Sequence, residues 1–449
     1  MHSAASESAI AVSSPSRPLL RILGVGFGIA VIVGNTIGSG ILLTPGEIAA
    51  HLRSPWFVMG VWVLGGVYAL VCTLSVTELG TMLPRAGGWY VFSQRAFGQY
   101  GGFIVGFCDW IMQSSAIAYL AVAAGEFAAD LEPAIRGRER LTSVAFVIVL
   151  MSLNLLGLRE GSWTQKITSL TKALALMVFV IACFVFSGGI VAGGPTVPHM
   201  LTQLPPEGLL FAVIVALEAV VVSYDGWYGA IYFVEEDEDP GKNLPRSSIA
   251  GVLACGAIFL LVNAAYLHIL STKGLAASKM PAADAAEMMF GGFGRKAILI
   301  VSLITVISTI NASLMIAPRI LFGMARDGLM PRWLTPVNAG GTPGVGLLLS
   351  AGVSILLVLS GSFETIIAMT SILFVAVYLS GFVSLFVLRK REVETPRPFR
   401  MWGYPWSNLA ICIASAGFLV GAVVADPKHA LFTAGVIALS YPIYAICMK

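Results

Sequence analysis

Long apolar stretches alternate with short polar ones over the whole chain. Twelve of them approach or exceed the roughly 20 residues a helix needs to cross a bilayer. They lie at about 20–50, 55–80, 97–129, 141–157, 164–190, 208–234, 247–270, 296–325, 344–361, 363–389, 406–425 and 429–447. The third, fifth and eighth are long enough to be tilted. The pattern predicts an all-α integral membrane protein of about twelve transmembrane helices. Residues 1–18 form a polar tail ahead of the first span, with no basic n-region and cleavage site of a signal peptide. An even number of spans puts both termini on one side.

Two of these stretches are interrupted at half depth. The first reads VIVGNTIGSGILLTP over 31–45, where Gly34, Gly38 and Gly40 stand among Asn35, Thr36 and Ser39. The sixth reads VSYDGWYGAIYF over 222–233, with Asp225 and Gly226 in mid-span. Backbone polar groups cannot stay unpaired in lipid, so unwound backbone at that depth must be buried in protein or line a polar cavity. A lone glycine-rich stretch is commonly a close-packing surface. Two in corresponding positions of the two chain halves, one carrying a carboxylate, point instead to a transporter site.

Helix ends dictate the chemistry of such a site. The outer half of span 1 would begin near Ser39, Gly40 and Ile41, where free N–H groups and the positive dipole end suit a carboxylate. The inner half of span 1 and the outer half of span 6 would end in free carbonyls, the latter near Val222, Ser223 and Tyr224, and these suit an ammonium. An amino acid zwitterion satisfies both.

Composition confirms the setting. Of 449 residues, 57% are hydrophobic and 11% charged, against about 25% charged in soluble proteins. The polar stretches are too short to fold as a separate soluble domain. With the N-terminus inside, inner segments hold 16 of the 27 Lys and Arg and outer segments 9, while Lys172 and Arg319 fall within spans. That bias places both termini in the cytoplasm, although Arg136, Arg138 and Arg140 pull the other way. Six cysteines and five histidines are scattered without metal-ligand spacing. No metal, cofactor or nucleic-acid partner is expected; the partners are an amino acid and membrane lipid. There is no GxSxG, no HExxH and no repeated selectivity loop, which argues against a membrane enzyme and a channel.

Five motifs, in order, carry a family resemblance: VGNTIGSGILLTP, TELGTMLPRAGGWYVF (77–92), SYDGWYGAIYFVEEDEDPGKNLPRS, NASLMIAPRILFGMARDGLMP (311–331) and LRKREVETPRPFRMWGYP (388–405). The chain resembles the amino acid–polyamine–organocation superfamily, most closely its L-type amino acid transporter exchangers. The resemblance implies a LeuT-like fold: two inverted five-helix repeats, at about 20–190 and 208–389, with spans 1 and 6 unwound mid-membrane, and two trailing helices at 406–447. It implies that Thr36, Ile37, Gly38, Ser39 and Gly40 cradle the substrate backbone, and that Val222, Ser223, Tyr224, Asp225 and Gly226 line the facing side. It also implies alternating access, with exchange favoured over net uptake.

Lys172, in SLTKALALMVF, is costly inside an apolar helix. It either snorkels to the inner interface or, as the resemblance implies, sits behind the unwound part of span 1. There its ammonium would replace the sodium ion of sodium-coupled relatives, which predicts sodium-independent transport.

The chain also departs from the family. Many L-type relatives carry an aromatic lid at the place of Val222, so Trp227 and Tyr228 become the gate candidates beside Tyr224. Asp225 replaces a glycine of large-substrate members. It would pair with a cationic side chain, help hold the α-ammonium, or stay protonated as a hydrogen-bond donor. Its bulk favours small neutral, or else cationic, amino acids. Glu218 lies two turns before Asp225. It is either a proton carrier, were the helix continuous, or a polar group of the outer vestibule. Asp109 and Glu126 in span 3 are lesser candidates. Glu78 should close span 2 against basic inner-loop residues, EEDEDP (235–240) reads as a solvated acidic loop, and Ser308 and Asn311 should bond to spans 1 or 5. DLEPAIRGRERL lacks the cysteine through which animal L-type transporters hold a heavy chain, so no disulfide-linked partner is expected. The membrane would be a bacterial cytoplasmic membrane or a plasma membrane. Proton-coupled symport and a non-transporting sensor remain as alternative functions.

Overall fold

A computed structural model describes residues 18–186, 208–361 and 363–448. The first apolar stretch forms two helices, α1 (Val25–Thr36) and α2 (Gly40–Leu52), bent by 46° across the gap between them. Then follow α3 (Pro55–Met82), α4 (Trp89–Leu131), α5 (Glu139–Leu156) and α6 (Leu158–Val185). The second half opens with α7 (Leu209–Ser223), a turn, and a 3₁₀ helix over Gly229–Glu236. It continues with α8 (Pro240–Ala277), α9 (Pro281–Arg326), α10 (Gly344–Ser360) and α11 (Phe363–Arg391). The chain closes with α12 (Trp406–Ala425) and α13 (Pro427–Cys447). Among the described residues nine helices are long and apolar enough to cross a membrane. The bent α1–α2 pair makes a tenth, and α7 and α10 are shorter apolar helices that complete the expected dozen. The protein is a multi-pass membrane protein.

The third and eighth spans keep their expected excess length, and a glycine break sets each apart from a short helix that precedes it. Helix α4 is 43 residues long but breaks at Gly98, whose φ of 87° belongs to the left-handed region. The stretch before it is a separate short helix, and the span proper begins at the break, close to the expected residue 97. Helix α9 breaks likewise at Gly291, ahead of the expected start at 296. The end of the fifth expected span, 187–190, lies outside the described residues.

Corresponding members of the two halves pack on each other: α3 on α8, and α4 on α9. The interior divides into two main apolar clusters. The smaller joins α4, α5, α9 and α10 through Ile117, Leu120, Val147, Leu150, Ile310 and Leu347. The larger holds the two broken elements together with α3 and α8. Helices α4 and α9 run through both clusters and so join the core around the breaks to the one formed with α5 and α10.

Ion pairs seal one end of the molecule. Glu78, fully buried at the end of α3, takes Arg389 Nε at 2.8 Å and Nη2 at 2.5 Å, with Arg397 at 3.3 Å and the Met401 amide at 2.7 Å. This is the inner-loop partnership expected of it. The acidic run 235–240 departs from expectation at its start: Glu235 and Glu236 are packed and paired, whereas Glu238 is exposed. Glu236 is buried in a two-pronged pair with Arg319 at 2.6 and 2.8 Å, and Glu235 pairs with Arg326 at 2.6 Å. Glu235 also accepts the Ala86 amide at 2.7 Å. A bidentate arginine partner is what makes a buried carboxylate tolerable.

Candidate functional site

Helix α1 stops at Thr36 because the chain GSG that follows has little helical preference. The N–H groups of Ser39, Gly40 and Ile41 find no acceptor among the described residues, as at any helix start. On the other side of the break, the Gly34 carbonyl accepts Lys172 Nζ at 2.7 Å and Thr309 Oγ1 at 3.1 Å. The Ile37 carbonyl accepts the same Nζ at 2.6 Å. Ser169 Oγ reaches the Ala30 carbonyl at 2.7 Å. Lys172 is fully buried, so the snorkelling alternative is excluded. It cannot reach the interface because its ammonium is committed to the unwound backbone.

Helix α7 ends at Ser223, two residues before Asp225. The continuous helix that would have put Glu218 and Asp225 on one face does not exist; Glu218 is exposed and Asp225 only half-buried. Gly226 explains how the two breaks meet. Its φ is 108°, and a Cβ there would stand 2.6 Å from the Asn35 carbonyl carbon and 2.7 Å from the Thr36 nitrogen. Only glycine fits both the backbone angle and the approach. A second contact lies above it, where Ser223 Oγ bonds Thr44 Oγ1 at 2.9 Å and Gly40 packs on Ser223.

Gly38, Ser39, Gly40 and Asp225 are all partly exposed, although their neighbours Ile37, Gly226 and Trp227 are buried. Each break thus keeps partly exposed positions. One carboxylate oxygen of Asp225 accepts the Tyr378 hydroxyl from α11. Below this pair Trp89, Trp227, Tyr228, Tyr378 and Phe382 form one aromatic cluster, with ring centroids 5.1 to 6.3 Å apart. On the opposite side lies a cavity of about 420 Å³ between α4, α5, α10 and α11, lined in part by Tyr119, Glu126 and Arg140.

Of the residues singled out in the sequence, Thr36 to Gly40, Ser223, Asp225 and Gly226 come together around the two breaks. Val222 is exposed, on the face of α7 that carries Glu218 one turn earlier. The Tyr224 side chain departs from expectation. Its hydroxyl donates to the Trp62 carbonyl at 3.1 Å and its ring packs on Trp62 and Phe259, so it turns toward α3 and α8 and away from α1. Trp227 and Tyr228 lie in the aromatic cluster, near-perpendicular to each other at 5.4 Å.

Several contributors went unseen in the sequence: Tyr378, Thr309, Ser169, Gln165, Tyr119 and Trp89. One signal was available. Gln165, Ser169 and Lys172 recur at intervals of four and three, which puts them on one face of the helix. Ser308 and Asn311 bond to this helix as expected, Ser308 to Thr168 at 3.0 Å and Asn311 to Gln165 at 2.8 Å.

Comparison with known proteins decides the affiliation. The amino acid permease family matches residues 28–447. The chain belongs to that family. This permease is 26% identical over 411 residues to the serine/threonine exchanger SteT of Bacillus subtilis (strain 168), covering 90% of this chain and 92% of the relative. It is 28% identical over 396 residues to the mouse (Mus musculus) Asc-type amino acid transporter 1, covering 85% and 73%. It is 24% identical over 420 residues to the mouse b(0,+)-type amino acid transporter 1, covering 91% and 84%.

Proposed function

We propose that this permease exchanges small neutral L-amino acids across the membrane by alternating access, without sodium. The observation that carries the reading is the contact between the two breaks. Gly226 rests on the end of α1 beside the free N–H groups of Ser39, Gly40 and Ile41. A substrate carboxylate placed on those N–H groups is stabilised by charge-assisted hydrogen bonds and by the helix dipole. Its ammonium would then face the carbonyls at the end of α7. The relatives support the reading by what their names say they carry.

Lys172 supports independence from sodium. Its ammonium holds the Gly34 and Ile37 carbonyls at 2.7 and 2.6 Å, and a second cation there would meet it at contact distance. Asp225 supports small substrates. With Tyr378 it fills the space a glycine would leave, and its carboxylate can meet a hydroxyl, an α-ammonium or a cationic side chain. The aromatic cluster closes one side while the cavity opens on the other. We read the closed side, rich in Arg85, Arg326, Arg389 and Arg397, as cytoplasmic. Both termini then lie in the cytoplasm, and the structure corresponds to an outward-facing state in a bacterial cytoplasmic or plasma membrane. Without a cysteine in the α4–α5 loop, no disulfide-linked partner is needed.

The test is transport by the purified protein in liposomes. Labelled serine should enter only vesicles preloaded with amino acid, at the same rate with and without sodium, and unlabelled alanine and threonine should compete. Uptake into empty vesicles driven by sodium, or binding without any transport, would overturn the reading.

A further inference from the structure

A second carboxylate lies deeper than Asp225 and takes no part in the site described. Asp109, in the middle of α4, is fully buried. Both its oxygens touch the Tyr232 hydroxyl, Oδ1 at 2.8 Å and Oδ2 at 2.9 Å. A phenol has one hydrogen to give. If Asp109 is ionised, that hydrogen is shared between two acceptors. If Asp109 is protonated, the tyrosine donates to one oxygen, the carboxyl donates back from the other, and both contacts are hydrogen bonds.

The surroundings favour the protonated form. Of the elements packed on α4, the 3₁₀ segment and the turn before it present Tyr232 and Tyr228. Helix α11 presents Tyr378, already bonded to Asp225. Helix α9 carries Arg319, already paired with Glu236; α10 carries no titratable residue, α5 carries Glu139 and Arg140 in its first turn, and α13 meets α4 through Tyr441 and Tyr444 at Tyr100 and Phe103. On α4 itself stand Cys108 and the neutral Gln113. None of the described residues offers Asp109 a cation, and an isolated carboxylate in a dry interior is strongly disfavoured.

Placement gives the pair a consequence. Tyr232 belongs to the segment that follows the second break, and Gln113 Nε2 reaches the Tyr228 hydroxyl of the same stretch at 3.4 Å. Helix α4 runs from the core it shares with the broken elements, where Phe107, Cys108 and Met112 lie beside Asp109, into the second core with α5 and α10. The Asp109–Tyr232 contact therefore fastens the broken span to the helices it must move against.

We propose that Asp109 is a proton-binding site that holds one proton while the segment carrying Tyr232 is docked on α4, and releases it when that segment swings away. As Tyr232 withdraws, water enters, the Asp109 carboxyl gives its proton to that water, and Tyr232 keeps its own hydrogen. On closure a proton is taken up from the same side. Turnover thus slows as that side becomes acidic, because the docked state gains stability with proton concentration. The direction rests on the transport reading above, and the side on the assignment of the aromatic seal as cytoplasmic.

Two measurements test it. Serine exchange is followed in liposomes of uniform protein orientation while the pH on the sealed side goes from about pH 8 to about pH 5 at constant pH outside. The unmodified permease should slow, approaching a limit of about ten-fold per pH unit for a single proton. Asp109→Asn, which keeps both contacts with a fixed amide, should show a flat profile, and Tyr232→Phe, which takes away a donor to the carboxylate, a profile shifted to higher pH. An Asp109→Asn profile matching the unmodified one, or a flat profile in the unmodified protein, overturns the proposal. Infrared spectroscopy at neutral pH reads the site without transport. A protonated-carboxyl band should vanish in Asp109→Asn and persist in Asp225→Asn. Identical spectra for Asp109→Asn and the unmodified protein overturn it even if exchange is absent, whereas absent exchange with the band present overturns only the transport reading.

Discussion

The two broken spans solve one problem in opposite ways. At the first, side chains from neighbouring helices take the freed carbonyls: Lys172 holds Gly34 and Ile37, Thr309 adds to Gly34, and Ser169 holds Ala30. At the second, no side chain bonds the freed carbonyls of Ser223, Tyr224 and Asp225 among the described residues. The turn is held instead by Gly226 against α1 and by aromatic packing. The first break is thus pinned from behind, and the second leans on the first. A bound zwitterion would find a fixed wall on one side and a wall able to move on the other. That asymmetry suits a carrier, in which one bundle rocks about a midplane site.

Substitutions can break this contrast. The largest effect is expected from Gly226→Ala. Left-handed backbone alone costs a non-glycine residue about 1–2 kcal/mol, and the new methyl meets backbone of Asn35 and Thr36 that cannot yield. Exchange should fall below detection while the protein still reaches the membrane; normal exchange would mean that the breaks separate during the cycle without needing this contact. Next is Lys172→Met. It leaves two carbonyls unpartnered, and hydrogen bonds to a charged group contribute about 1.5–3 kcal/mol each. Melting temperature in detergent should drop by several degrees and transport should be lost. Recovery of either by sodium would show that the ammonium stands in a cation site.

Asp225→Gly probes the movable wall. Serine affinity should weaken about ten-fold, the equivalent of about 1.4 kcal/mol, and leucine or phenylalanine should begin to compete. A variant that gains no bulky substrate would show that Asp225 does not set pocket size. The smallest effect belongs to Tyr224→Phe, which removes one hydrogen bond to the Trp62 carbonyl. Stability should fall by about 1 kcal/mol with substrate preference unchanged, since this side chain faces α3. A changed preference would return Tyr224 to the site.

The contrast also marks what could be read from the chain beforehand. The interruptions themselves were legible, because GNTIGSG and YDG stand out against apolar runs, and the spans followed from length and hydropathy. Lys172 was legible as an anomaly, but its partners were not. Thr309 and Tyr378 are ordinary residues on helices remote in sequence, and only tertiary packing brings them to Gly34 and Asp225. The run EEDEDP misled for the same reason: its solvated look concealed Arg319, 83 positions away from Glu236. The turn of Tyr224 toward Trp62 depends on where α7 ends, and a break of helix resets which way every later side chain points.

One detail at the start of the described chain bears on how motion in this protein could be watched. The amides of Ile22 and Leu23 both donate to the Glu236 carbonyl at 3.0 Å, and Glu238 donates back to Leu23 at 3.0 Å. Residues 22 and 23 are therefore stitched, like a short added strand, to the far end of the second broken element. A spin label or fluorophore placed there would report the travel of that element and not of α1, which begins two residues later. Distances measured from such a probe to α5 or α10 would track the opening of the sealed side, whereas the same probe paired with α8 would serve as the stationary control if the bundle moves as one body.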